Sequence, residues 1–340
     1  MLKVSVVIPT LNRADLLAST IDHIANQTLA REHYEVLVID NGSTDQTRSV
    51  LDQKSKTYPN LKCFSQLKRG AAATRNVGIR NATGETILFI DDDIFGASDL
   101  IESHLRGHAE HPKTSFIGSV TAPWGSSSDP FLRYLRDRGI FNPYSITGGP
   151  VDFSYYHTGN VSTGRALLSE VGGFNEDFFI YGMEDIELGY RLEQRGCRMV
   201  RGATARAEHR YFPSYEQFIQ RCEQAGYSLG KMIELHPELR GRFVEDSARN
   251  RVLKRLHFLY RLFTVTSEPL SRAVTQWEER RGTGRVSSIL DQHYYWAVRY
   301  HFFLGYRQYQ SNGRNGSARG ELKVGRTQIP DFAIEPRTKA

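Results

Sequence analysis

Ile87-Leu88-Phe89-Ile90-Asp91-Asp92-Asp93 is the stretch on which the reading of this chain turns. Four apolar residues in a row describe a buried strand, and three carboxylates follow at once. Clustered negative charge at a strand end is costly to bury unless a cation neutralises it. In open α/β sheets, ligands sit beyond the carboxyl ends of the strands. The stretch therefore predicts a site for a divalent cation and a phosphorylated ligand. A polar turn after a strand also favours Asp, so the surrounding chain has to decide between the two.

Upstream, Lys3 to Ile8 reads as a first strand stopped by Pro9, with Thr10-Leu11-Asn12-Arg13 as a loop. A helix from about Asp15 to Gln27 carries Leu16, Leu17, Ile21 and Ile24 at helical spacing. Tyr34 to Ile39 is a second strand ending at Asp40, and Asn41-Gly42-Ser43-Thr44-Asp45 is a tight polar turn before a helix to about Tyr58. Leu61 to Ser65 is a short third strand. A small-residue helix opens at Gly70-Ala71-Ala72-Ala73 and ends at Gly84, and the central strand runs from Glu85 to Ile90. Strand and helix in alternation, with near-continuous apolar strands, predict a parallel, doubly wound α/β sheet. Right-handed crossovers then bring Asp40 and Asp91 to the same sheet edge. No G-x-G-x-x-G follows the first strand, so a dinucleotide fingerprint is absent.

Downstream, Ser98–Ala109 reads as a helix, Ser115–Val120 as a strand and Phe131–Arg138 as a short helix among loops. Tyr155 to Thr163 is strand-like with a polar middle. Glu184-Asp185 opens a helix that Gly196 ends, an acidic first turn that the helix dipole alone would favour. Cys197 to Ala207 is a strand, with His209 just past it. The rest is helical: Tyr215 to Leu235, then Asn250 to Val265, then about Ile289 to Tyr309, which is dense in aromatics. The basic amphipathic Asn250–Val265 helix and the aromatic helix near Tyr294–Tyr306 each fit either an anionic membrane surface or a helix packed on the catalytic domain or in a homodimer. The domain reading is 1–212 catalytic, 213–310 helical, and 311–340 a flexible Gly/Arg-rich tail.

Composition bounds the alternatives. The chain has 340 residues, 39% hydrophobic and 24% charged, which fits one large α/β domain with an appendage. Its net charge of +6 suits an anionic ligand or membrane surface. No helix-turn-helix, zinc-finger or RNP-type signature points to nucleic acid. Cys63, Cys197 and Cys222 form no C-x-x-C pair, so neither zinc nor a disulfide framework is expected, and a reducing compartment follows. No apolar run approaches the roughly 20 residues that span a bilayer. The expectation is a cytoplasmic protein, at most peripheral at the inner face of a membrane.

The motifs occur in a specific order: Pro9-Thr10, Asp40 with its turn, Arg75-Asn76-Val77-Gly78, Asp91-Asp92-Asp93, Gly172-Gly173-Phe174 and Glu184-Asp185. In that order the chain resembles the family-2 glycosyltransferases with the GT-A fold, as far as about His209. The resemblance implies a Rossmann-like, mostly parallel sheet flanked by helices, with the C-terminal helices as an extension. It implies inverting transfer of a sugar from a nucleoside diphosphate sugar, most simply a UDP- or dTDP-sugar, with Mn²⁺ or Mg²⁺. The acceptor would be a hydroxyl of a glycan, a lipid-linked or a small molecule. Pro9, Thr10 and Arg13 would shape the base pocket, and Asp40 would accept from the base. Arg69, Gly70 and Arg75 would line the base and ribose side. Asp91 would contact the ribose and Asp93 the metal, with Asp92 a less defined nucleotide contact. Asp185 would be the catalytic base, Glu184, Asn160 and Gly173 would position donor or acceptor, and His209 would sit at the metal.

The chemistry agrees. A hard cation stabilises a departing diphosphate, and a carboxylate within hydrogen-bond reach can deprotonate the attacking hydroxyl, more readily if Glu184 raises its pKa. A retaining double displacement would need a carboxylate nucleophile, and none is evident. Blander readings stand beside these: Asp40 as a turn cap, Arg75 in a surface ion pair, His209 in the core, Asn160 bonded to backbone, and Trp124 and Trp277 as packing. A sugar nucleotidyltransferase is the rival enzyme, but it would carry a Gly-rich loop where Pro9-Thr10-Leu11-Asn12 stands. A non-catalytic nucleotide-sugar-binding protein would most simply have lost Asp93 or Asp185, and both are present.

Overall fold

The computed structural model describes residues 3–67, 70–122, 127, 129–138, 148–245, 273–274, 276–277, 280, 286 and 288–314. The first half alternates as expected: β1 (Val4–Thr10), α1 (Ala14–Ala25), β2 (Tyr34–Asp40), α2 (Thr47–Thr57), β3 (Leu61–Ser65), α3 (Ala71–Asn81) and β4 (Thr86–Ile90). After these come β5 (Ile94–Gly96), α4 (Leu100–Glu110), β6 (Thr114–Thr121), α5 (Pro130–Asp137), β7 (Gly149–Val151), β8 (Asn160–Gly164) and α6 (Arg165–Glu170). The chain continues through α7 (Glu184–Gln194), β9 (Arg198–His209), α8 (Tyr215–Leu235) and α9 (Ser288–Arg314).

One sheet runs in the order β3-β2-β1-β4-β8-β6-β9-β5, with β7 also on β9. β3, β2, β1 and β4 are mutually parallel. Strand β1 continues through Pro9 to Thr10, two residues past the expected stop. Pairing with β4 has ended by then, at Val7 and Phe89, so Pro9 lies where only β2 borders the strand. Strand β8 is the main departure from a uniformly parallel sheet: it inserts antiparallel between β4 and β6. The strand-like run expected from Tyr155 becomes a strand only at Asn160, because Asp152 caps a single 3₁₀ turn over Phe153–Tyr155.

Strand alternation sorts the core into two layers. Val4, Val6, Ile8, Val36, Val38, Leu88 and Ile90 face helix α1, while Val7, Leu37, Ile39, Ile87 and Phe89 face α3 and α7. Leu88, Phe89 and Ile90 are completely buried, each contributing about 1.5–3 kcal/mol of apolar transfer. This layered core makes the ends of β4 rigid, which fixes where the following carboxylates start.

Helices α8 and α9 lie so close that a Cβ on Gly226 or Gly305 would collide with the partner backbone. A capping box at Ser214 and Gln217 starts α8. Phe131 and Tyr134 of α5, Phe218 of α8 and Leu290 and Tyr294 of α9 share a core. The aromatic residues of α9 are thus spent partly on packing. The basic Asn250–Val265 stretch, Trp124, Arg69 and the tail from 315 lie outside the described residues.

Candidate active site

The period of a strand splits the carboxylate triplet. Asp91 continues the Ile87–Phe89 side and Asp92 the Leu88–Ile90 side. Asp91 Oδ1 accordingly accepts from Arg75 Nη2 of α3 at 2.7 Å. Asp92, 8% exposed, faces α1: its carboxylate accepts from Thr10 Oγ1 at 2.8 Å and from Arg13 Nη1 at 3.3 Å, and its carbonyl accepts from Thr20 Oγ1 at 2.8 Å. Burial pushes the Asp92 carboxyl up to about 7, with Arg13 opposing and Asp93 adding to the shift. Asp93 accepts from Arg13 Nη1 through Oδ2. Thr10, Arg13 and Asp92 therefore form an internal brace. The Thr10 and Arg13 side chains, expected at the base pocket, are drawn to these carboxylates, and Asp92, expected at the nucleotide, is engaged by both.

Arg75 is the tie between the two halves of the site. It is 5% exposed, and its Nη1 donates to Glu184 Oε1 at 3.1 Å while Nη2 holds Asp91. Its guanidinium lies 5.7 Å from the Phe174 ring, which packs edge-on against Phe89 at 5.3 Å. One side chain thus joins the end of β4 to the start of α7, where Glu184 lies 109 positions from Arg75. The surface-pair reading of Arg75 does not hold. Asn76 clamps the intervening loop, donating to Phe174 O and Glu176 Oε1 and accepting from Phe174 N at 2.8 Å.

Helix α7 begins after Met183 in the left-handed region, φ 71°, a costly conformation for a non-glycine residue. Glu184 is buried, and its Oε2 has no hydrogen-bond partner. Asp185 accepts from Ile186 N at 2.8 Å through Oδ1, and its Oδ2 lies 3.4 Å from Nδ1 of the exposed His157. Burial and the Asp185 charge raise the Glu184 pKa, against Arg75. Burial alone would raise Asp185 as well, but the His157 bond and charge, with Arg75, hold it below the usual carboxylate value. The lift that would have made Asp185 a better base falls on Glu184 instead, and Asp185 is held below its ordinary value.

His209 reaches Asp93 because β9 ends beside β5, with Ile94 paired to His209 and Arg210 N donating to Asp93 O at 2.8 Å. His209 Nε2 lies 3.5 Å from Asp93 Oδ1, a buried oxygen with no hydrogen-bond partner. Burial holds His209 below the ordinary imidazole range, with Arg13 and Arg221 adding and Asp93 and Asp91 opposing. The neutral imidazole is the metal-ligating form. Among the described residues no group of three or more His, Cys, Asp or Glu side chains is placed to hold a metal by itself. Asp93 and His209 fit a cation that completes its shell with phosphate oxygens and water, a habit of Mg²⁺.

The remaining predicted residues separate. Thr10 and Asp40 are paired in register, as are Pro9 and Ile39, so the ends of β1 and β2 lie side by side. Asp40 is buried and caps its turn by accepting from Ser43 N at 2.9 Å. Gly70 has φ +104, and a Cβ there would meet Phe179 Cα at 2.8 Å, so the backbone of 178–179 closes over the start of α3. Gly173 has φ +70 and would meet Asn76 Oδ1 at 2.6 Å, while its carbonyl accepts from Arg191 Nη2 at 2.7 Å. Asn160 is not brought to the cluster. It is 2% exposed, its amide donates to Ser119 O and Ala205 O, and its Oδ1 lies 2.8 Å from His104 Nε2. Its amide nitrogen is engaged by β6 and β9 and its amide oxygen by His104 of α4. His157 was not foreseen, and the polar run before Asn160 is the only hint of it. Tyr211 was likewise missed, though it takes the Arg13 guanidinium at 4.5 Å.

Residues 5–170 match the model of glycosyl transferase family 2, and residues 144–215 that of the N-terminal domain of galactosyltransferase. Validoxylamine A glucosyltransferase of Streptomyces hygroscopicus subsp. jinggangensis (strain 5008) is 34% identical over 225 residues, 57% of this chain and 52% of that protein. The chain spans about half the length of the validoxylamine A glucosyltransferases it matches. In three dimensions it resembles mannosyltransferase PcManGT from Pyrobaculum calidifontis, solved in complex with GDP-Man and Mn²⁺. The TM-score is 0.57 at 20% identity, covering 88% of this chain and 87% of that one. It also resembles S. aureus TarS 1–349 in complex with UDP, with TM-score 0.52, 17% identity and coverages of 93% and 92%. At these identities the likeness is one of fold. Over residues 5–170 the chain is thus similar to glycosyl transferase family 2, and its fold is the GT-A fold of those solved structures.

Proposed function

We propose that this chain is a glycosyltransferase that works by inversion, moving a sugar from a UDP- or dTDP-sugar to a hydroxyl of a glycan, a lipid-linked or a small-molecule acceptor. The observation that carries this reading is the Arg75 tie, which sets Glu184 and Asp185 against the carboxylates after β4. Asp91 would hold the ribose, and Pro9, Asp40, Gly70 and Arg69 the base side. Asp93 and His209 would hold Mn²⁺ or Mg²⁺, which supplies charge neutralisation for the departing diphosphate. Asp185, ionised, accepts the acceptor hydroxyl proton as that oxygen bonds the anomeric carbon and the sugar–phosphate bond breaks. Glu184, with an unused buried oxygen, would orient a sugar hydroxyl, and Gly173 would shape the loop beside it.

Residues 1–212 would form the catalytic unit and 213–310 a helical one governing acceptor access. Among the described residues no helix is long and apolar enough to cross a membrane. Peripheral membrane contact or a homodimer would rest on the C-terminal helices, of which Asn250–Val265 lies outside the described residues.

Asp185→Asn is the test. It should cut turnover by about 10²–10⁴-fold while nucleotide affinity, read by calorimetry with Mn²⁺, stays unchanged. Wild-type-like turnover in that variant removes Asp185 as the base.

A further inference from the structure

Arg221 takes no part in the mechanism above. Arg221, on the first half of α8, lies beyond the residues that either family model matches. Its guanidinium sits 4.6 Å from the Tyr211 ring and 5.3 Å from the Tyr181 ring. Tyr211 takes the guanidinium of Arg13 as well, at 4.5 Å. The result is a stack of Arg13, Tyr211, Arg221 and Tyr181. One end is tied through Arg13 to Asp92 and Asp93. The other is Tyr181, three residues before Glu184 and about half exposed.

The stack therefore reaches from the metal-side carboxylates to the entrance of the catalytic helix. Arg13 and Arg75 are both committed to carboxylates. Arg221 makes no ion pair with a carboxylate among the described residues, and aromatic faces alone hold it in place. Stacking fixes the guanidinium plane while leaving its N–H edges available for a planar, bidentate partner. Charge asks for such a partner. Asp91, Asp92, Asp93, Glu184 and Asp185 gather against Arg13 and Arg75, and a nucleoside diphosphate sugar adds further negative charge, which rises as the sugar–phosphate bond breaks. Guanidinium and phosphate match in geometry as well as sign.

We propose that Arg221 binds the diphosphate of the donor and of the departing nucleotide, from the side opposite the β4 carboxylates. The inference rests on the nucleotide-sugar reading of this cleft. It differs from a role in stacking alone, because only phosphate binding distinguishes a diphosphate from a monophosphate.

The experiment is titration calorimetry on the full chain with Mn²⁺. It uses UDP or dTDP, whichever the wild type binds more tightly, beside the matching monophosphate. Arg221→Met should weaken the diphosphate by about tenfold or more, the worth of a charge-assisted hydrogen bond, and leave the monophosphate within about twofold. Arg221→Lys, which keeps the charge but loses the planar fork, should fall between, and it carries the comparison if the Met variant does not fold. Equal losses for both nucleotides, or none for either, overturn the proposal. If the wild type binds neither diphosphate, the donor reading itself fails, and Arg221 falls with it.

Discussion

Two arginines each bridge two carboxylates at the same triplet, and they do different work. Arg75 is almost wholly buried, stands on a helix, and joins groups from β4 and α7. Arg13 sits in the loop before α1, is 22% exposed at its side chain, and binds the adjacent Asp92 and Asp93. The first is surrounded on all sides by the core that positions it. The second has solvent on one side and shares the Asp93 carboxylate with His209, which faces the other oxygen. The difference separates architecture from exchangeable counter-charge: under the proposed function a divalent cation would take over what Arg13 does for Asp93, whereas Arg75 is enclosed by the core.

Breaking the buried tie should have the larger consequence. Arg75→Met should cost about 3 kcal/mol at neutral pH, the low end for a buried pair that loses one partner. The low end applies because Glu184, already raised in pKa by burial and by Asp185, can shed its charge by taking a proton. For the same reason the loss should shrink as pH falls, since the neutral acid needs no counter-ion. Urea unfolding at several pH values reads both, and a loss below about 1 kcal/mol would make the tie an ordinary surface pair. Arg13→Ala should cost less, about 1–2 kcal/mol without metal. Its melting temperature should rise more on adding Mn²⁺ than that of the wild type, because the cation replaces the missing charge. A smaller rise would assign Arg13 to the fixed architecture.

The finest contrast is His157→Gln. His157 helps hold Asp185 below its ordinary value, so its loss should raise the Asp185 pKa. The acid limb of the pH–rate profile then moves to higher pH. The stability that this depressed carboxylate contributes is present above its unfolded pKa and is lost as pH falls through the folded one. That contribution should diminish in the variant. An unmoved acid limb would leave His157 a bystander.

Much of this was legible before any coordinates. Apolar runs from Val4, Val36 and Ile87 mark buried parallel strands because nothing polar interrupts them, and the carboxylates after Ile90 stand where ligands bind. Partnerships across distance were not legible. Arg13 meets Asp93 only because β1 and β4 are neighbours in the sheet, 80 positions apart in the chain. Strand direction was equally hidden: nothing in Asn160-Val161-Ser162-Thr163-Gly164 says that it runs antiparallel, and that direction decides that the Asn160 amide meets His104. Asp92 is an intermediate case. Counting by twos from Leu88 already directs it to the α1 side, but only a known sheet says what waits there.

That count by twos makes β4 a reading frame. Adding or deleting one residue between Thr86 and Ile90 would exchange the positions of the brace carboxylate and the one that Arg75 holds, and turn the apolar pattern inside out at the same time. A point substitution in the triplet removes one group and leaves the others aimed. A single-residue slip would keep every side chain and misdirect all of them, so chains of this design should vary in β4 by replacement and scarcely ever by length.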